Sequence, residues 1–205
     1  MVGRLRRRLS DEGFSLIEMM LVVAIIGVLA AIALPMSGNS IRFLKLSGDA
    51  RDLANITAVT KMRAAAKFTQ ARLFVDKNGK QYYVQTLDKT TGTWTTETGV
   101  TSLASTVSFG FGPITAAPTN TQTTLGQAGS CMTTAVTPVA IANSACIIFN
   151  SRGIPITDIT TGGPTGDDAL YVTDGTSIYG ITVAATGFIR TWRANSASGA
   201  AWTLQ

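Results

Sequence analysis

Glu18 is the only charged side chain between Leu16 and Leu34. An ionisable group inside an apolar helix costs about 2.5–3.5 kcal/mol on membrane-insertion scales, so it marks a site that needs a partner, either the amine of Phe14 if the chain is cut there or a group on a neighbouring subunit. The bland alternative is a shallow side chain that snorkels to the membrane surface. Cys131 and Cys146 are the only cysteines; two thiolates cannot complete a tetrahedral zinc shell, and past an apolar anchor such a pair reads as a disulfide. Arg190 and Arg193 with Trp192 between them have the chemistry to hold phosphates and stack bases, although a solvated strand face explains them as well. Asp158, Asp167, Asp168 and Asp174 lie near glycine-rich turns and offer oxygen ligands, but their spacing matches no calcium loop. The chain has no histidine, which excludes Ser-His-Asp and Cys-His nucleophiles and histidine zinc sites. No phosphate loop or dinucleotide-binding glycine pattern occurs. Catalysis, a metal and a cofactor are all unexpected.

The element that positions Glu18 is the apolar run from Leu16 to Leu34. As a helix it rises about 28 Å, close to the hydrocarbon thickness of a bilayer. Ahead of it is a short head carrying Arg4, Arg6, Arg7 and Arg8, which the positive-inside tendency keeps in the cytoplasm while the rest of the chain is sent outward. The run is too long for the core of a secretory signal peptide and lacks a small-residue cleavage site after it. Pro35, followed by Ser37, Gly38, Asn39 and Ser40, is expected to end or kink the helix by removing a donor and crowding the preceding turn.

The stretch Gly13-Phe14-Ser15-Leu16-Ile17-Glu18 resembles the leader junction of type IV prepilins and type II secretion pseudopilins. That resemblance implies cleavage between Gly13 and Phe14 by a membrane-embedded aspartic peptidase, the prepilin peptidase, with methylation of the new amino end at Phe14. Glu18 would then be the fifth residue of the mature chain, able to meet the amine of its own Phe14 or that of a neighbouring subunit. The resemblance also implies a helix break at Pro35 and Gly38, other pilin or pseudopilin subunits as partners, and an inner-membrane location with the body in the periplasm or on the cell surface.

Of the 205 residues, the leader 1–13 takes +2 of the net charge of +5, leaving +3 on the mature chain. What remains suits one globular domain of ordinary size. After the membrane or filament-core helix 14–36, residues 37–70 read as an amphipathic helix with an apolar stripe through Ile41, Leu44, Gly48, Leu53, Ile56, Val59, Met62, Ala66 and Phe68. Residues 71–205 read as a β-rich domain. Ala71–Val75 and Gln81–Leu87 form a hairpin with its turn at Asn78-Gly79, and Thr93–Thr96 and Val107–Phe111 extend it. No charged residue falls between Thr98 and Ser151, a threonine-rich stretch expected to form extended loops or a subunit contact. Ala145–Phe149 reads as a buried strand, and Ala169–Thr173, Ser177–Val183 and Phe188–Arg193 as a three-stranded meander. This last half, with Phe149-Asn150, Gly153 and Gly187-Phe188-Ile189-Arg190, resembles the H-type minor pseudopilins, one branch of which resembles a DNA-uptake receptor. The disulfide lies further from the C-terminus than in many pilins. The expected whole is an α+β, pilin-like fold: a long N-terminal helix packed on an antiparallel sheet.

Overall fold

The computed structural model describes residues 14–97, 99–157, 162–195 and 201–205. The chain forms two compact units, Met1–Ile41 and Arg42–Gln205. A single helix, α1 (Leu16–Ala66), contributes its first half to one unit and its second half to the other. Pro35 and Gly38 are both helical, so the proline expected to end the helix does not end it. A proline costs one backbone bond in a helix that has many others.

In the second unit, the face of α1 that is buried runs through Leu46, Ala50, Leu53, Thr57, Thr60 and Ala64, all fully covered. This alternating spacing of four and three residues keeps one stripe of the helix against the sheets. The stripe expected from the sequence is corrected: Leu53 belongs to it, but Ile41, Leu44, Met62 and Phe68 are exposed. Two threonines cause the difference. Thr57 Oγ1 donates to Leu53 O at 2.6 Å and Thr60 Oγ1 to Ile56 O at 2.7 Å, so each hydroxyl is satisfied inside its own helix and its methyl can face the core.

Among the described residues eleven short strands follow: β1 (Ala71–Asp76), β2 (Gln81–Leu87), β3 (Trp94–Thr96), β4 (Thr101–Ser102), β5 (Ser108–Phe109), β6 (Ser144–Phe149), β7 (Pro155–Ile156), β8 (Asp168–Thr173), β9 (Ser177–Val183), β10 (Ile189–Asn195) and β11 (Thr203–Leu204). They form two sheets. One has the order β3-β2-β1-β6-β7 with β4 also on β2, and the other β11-β10-β9-β8-β5. The β1–β2 hairpin is present, but its connection is the four residues 77–80, with the left-handed backbone at Lys80 (φ 53°). Asp76 Oδ1 closes this turn by accepting from the Asn78 and Gly79 N–H groups at 3.0 Å each. Two further expectations change. β5 joins β8 in the second sheet and does not extend the hairpin. The three-stranded meander gains a fourth strand, β11, which pairs with β10 at Trp192 and Arg193.

Both sheets contribute one face to a common core. Leu73 and Val75 of β1, Ile147 and Phe149 of β6, Leu170 of β8 and Ile181 of β9 meet Leu46 and Leu53 of α1 there. Alternate residues point the other way, and the uncharged stretch covers them. Cys131 and Ile141 lie over Phe74, Cys146 and Ile148 of the first sheet, while Ile114 and Leu125 lie over Ala169 and Tyr171 of the second. This stretch is thus a second layer of the core, and its low charge follows from what it covers.

Candidate processing and assembly site

Phe14 stands just ahead of α1 and is 78% exposed. Glu18 occupies the first helical turn, where a carboxylate complements the partial positive charge of the helix end. It too is exposed. Among the described residues the one ion pair joins Lys67 to Glu97, and Glu18 has no charged partner among them. The helix around it shows apolar side chains on every side: Leu16, Ile17, Leu21, Val23, Ile26 and Leu29 are each more than half exposed. Among the described residues no helix is long and apolar enough to cross a membrane; the part of the run whose side chains are described ends at Ile32. Gly13 and the rest of the leader lie outside the described residues, as does Asp158.

Cys131 and Cys146 form a disulfide with Cα atoms 5.0 Å apart. It ties the uncharged layer to β6, and a hairpin-like loop leaves from it, with Ile141 N–H donating to Cys131 O at 2.7 Å and Met132 bridged to Ala140. Arg72, which sequence alone does not single out, is the buried polar centre beneath this loop. Its guanidinium lies 4.1 Å from the Trp94 ring centroid. Its Nε donates to Gln85 Oε1 at 2.8 Å and its Nη1 to Met132 O at 2.5 Å. Burial without a carboxylate partner lowers its pKa to about 10. An arginine inside a strand normally reads as the solvent-facing alternate, so no sequence signal marks it.

Arg190 and Arg193 do not form one patch. They are an odd number of residues apart on β10 and therefore leave opposite faces of the sheet. Arg193 stacks over Phe43 of α1 at 4.6 Å, whereas Arg190 is exposed beside the Phe188 ring at 5.5 Å. Trp192 shares the Arg190 face and donates from Nε1 to Thr182 Oγ1 at 2.9 Å. Of the aspartates, Asp174 closes the β8–β9 turn by accepting from Thr176 and Ser177 N–H at 2.8 Å each. Asp168 has one buried oxygen without a partner, and burial and neighbouring Asp167 raise its pKa to about 7. Among the described residues no cluster of three acidic, cysteine or histidine side chains is placed to hold a metal.

The glycines of the C-terminal half have a steric role. Gly153 (φ 73°) leaves room for the aliphatic stem of Lys61, and Gly187 (φ 76°) sits where a Cβ would lie 2.3 Å from Gly153 O. Lys61 passes between these two turns and donates from Nζ to Gly187 O at 2.9 Å, joining α1 to the loops that follow β6 and β9. Asn150 Oδ1 shapes the first of them by accepting from Arg152 and Ile154 N–H at 2.9 and 3.1 Å.

The long N-terminal helix and the two antiparallel sheets make an α+β fold. Residues 8–34 match the prokaryotic N-terminal methylation motif. Among solved structures, the chain is similar to the minor pseudopilin EpsH from the type II secretion system of Vibrio cholerae. One structure of EpsH shows 12% identity and a TM-score of 0.43 over 72% of this chain and 95% of that one. A second shows 11% identity and 0.42 over 72% and 92%. No curated protein matches the sequence.

Proposed function

We propose that the chain is a non-enzymatic structural subunit, a pilin or minor pseudopilin of a type IV pilus or a type II secretion pseudopilus. The observation that carries this reading is the methylation motif over residues 8–34, set on a helix whose large apolar side chains are exposed from Leu16 to Ile32. A surface of that kind needs a bilayer or other copies of the helix around it. Prepilin peptidase cuts between Gly13 and Phe14, Phe14 is methylated, and Leu16–Leu34 crosses the inner membrane with the β-rich unit outside. On assembly Glu18 pairs with the Phe14 amine of a neighbour, and the helix bends or melts at Pro35 and Gly38. The H-type minor branch is favoured by the order of Phe149-Asn150, Gly153 and the β8–β10 meander with Gly187-Phe188-Ile189-Arg190.

The test is an intact-mass measurement on membrane-extracted protein. We expect loss of residues 1–13 and one added methyl group; a chain that keeps its Gly13–Phe14 bond in a host with active prepilin peptidase defeats the proposal. The competing reading, a DNA-binding minor pilin, has little support in the arginines, since Arg193 is engaged with Phe43.

A further inference from the structure

Phe68 stands two residues past the end of α1 with φ 50°, the left-handed backbone that glycine usually supplies after a helix. Its ring is 76% exposed, and among the described residues after Arg42 no large apolar side chain is more exposed. The fold does not need the ring. The helix end is closed by backbone bonds from Phe68 N–H to Ala65 O and from Thr69 N–H to Ala64 O, both 3.2 Å, and Lys89 Nζ donates to Phe68 O. A phenylalanine held in an unfavourable backbone conformation with its ring in water is the kind of local cost that persists for a use outside the fold.

A receptor for such a ring exists on the same molecule. A groove of about 240 Å³ lies beside α1, lined by Asp52, Asn55, Ile56, Val59, Tyr82 and Thr101. Ile56, Val59 and the buried Tyr82 give it an apolar interior, and Asp52 borders it, with Asp49 close enough to act on Tyr82 as well. Around Phe68 the balance is basic: Arg63 lies in the last turn of α1, Lys67 precedes it in the chain and Lys89 donates to its carbonyl oxygen, against Glu97, which is paired with Lys67, and Asp88 in the same hollow.

We propose that Phe68 of one copy docks into the Ile56–Val59–Tyr82 groove of a second copy of this chain, its basic collar facing Asp52 and Asp49. The inference rests on the subunit reading above and adds a contact outside the N-terminal helix. Twelve residues separate Ile56 from Phe68, about 18 Å along a helix. Copies anchored by their N-terminal helices in one membrane are parallel, so the two surfaces meet only when one copy is shifted along the axis past the other, a head-to-tail contact that continues into a fibre.

The experiment uses the full-length chain in membranes with Phe68→Cys and Val59→Cys together, the native disulfide remaining bonded. Mild oxidation should give a ladder of two, three and more linked copies, absent from either single variant. No linkage beyond that of the single variants, or linkage that stops at dimers, overturns the proposal. Leader removal is scored on the unlinked chain of the same sample: a cleaved chain without a ladder removes this contact and leaves the subunit reading standing, and an uncleaved chain with a ladder does the reverse. Phe68→Gly separates docking from folding, because glycine suits the backbone at this position. It should raise the melting temperature and lower incorporation into assemblies. A Phe68→Gly chain that assembles as the wild type does also overturns the proposal.

Discussion

The buried oxygen of Asp168 has no hydrogen-bond partner, and Asp167 stands beside it. Burial is the larger cause of its raised pKa, about 7 against an ordinary 3.8, so the folded protein holds a proton that the unfolded chain gives up. Between roughly pH 4 and 7 the unfolded chain binds fewer protons at this site than the folded one, and linkage then makes stability fall as pH rises through that window. Asp168→Asn keeps the shape and removes the titration. We expect it to raise stability at pH 7.5 by about 1–3 kcal/mol, because the amide carries no charge for burial to penalise. The expected gain shrinks towards pH 4, and denaturant melts at the two pH values measure it. An equal effect at both pH values would show that the carboxylate is not the cause.

At the scale of elements, the disulfide and Arg72 hold the uncharged layer on the first sheet. Cys131 and Cys146 are 15 positions apart, a loop whose closure contributes about 3 kcal/mol on the chain-entropy model. Replacing both by Ala should lower stability by about that much, more than any exposed substitution in the 131–141 loop; a chemical melt of the variant checks it. The long strands were legible for two reasons, the alternation of β2 and the continuous apolar run of β6 between turn signals: β1, β2, β6, β8, β9 and β10 fall where the sequence reading placed them. The two-residue strands β4, β7 and β11 are too short to leave a period and exist through their neighbours. The face of α1 was misread because Thr57 and Thr60 look polar to any hydrophobicity pattern, although their hydroxyls bond back to the helix. The covering role of residues 110–143 was illegible for a related reason: side chains such as Ile114 and Cys131 are isolated among threonines, and only tertiary packing shows what they meet.

At the scale of the whole molecule, the N-terminal motif was the most readable part, because its chemistry lies in consecutive residues. Glu18 has no charged partner within the described chain, so its effect should appear only between chains. Glu18→Ala should leave processing, membrane insertion and the melting temperature unchanged and sharply reduce incorporation into filaments, measured by shearing and immunoblotting. Normal incorporation would mean that Glu18 only snorkels at the membrane surface. The net charge of +3 on residues 14–205 and the divergence of Arg190 from Arg193 lead to a second expectation: weak duplex binding at physiological salt. In gel shifts over a salt series, replacing both arginines by Ala should then change little. If both contact phosphates, the salt slope should instead flatten by about one unit per contact.

The bond between Cys131 and Cys146 also bears on how the protein is made. With two cysteines in the chain, only one intramolecular pairing exists, and no wrong partner competes for either sulfur. On the export route proposed above, maturation therefore calls for a thiol oxidant and for no isomerase to reshuffle mispaired bonds. A host lacking a periplasmic disulfide isomerase should yield native protein at full level. A host lacking the oxidase should accumulate a reduced, protease-sensitive form whose nicks cluster between β5 and β6.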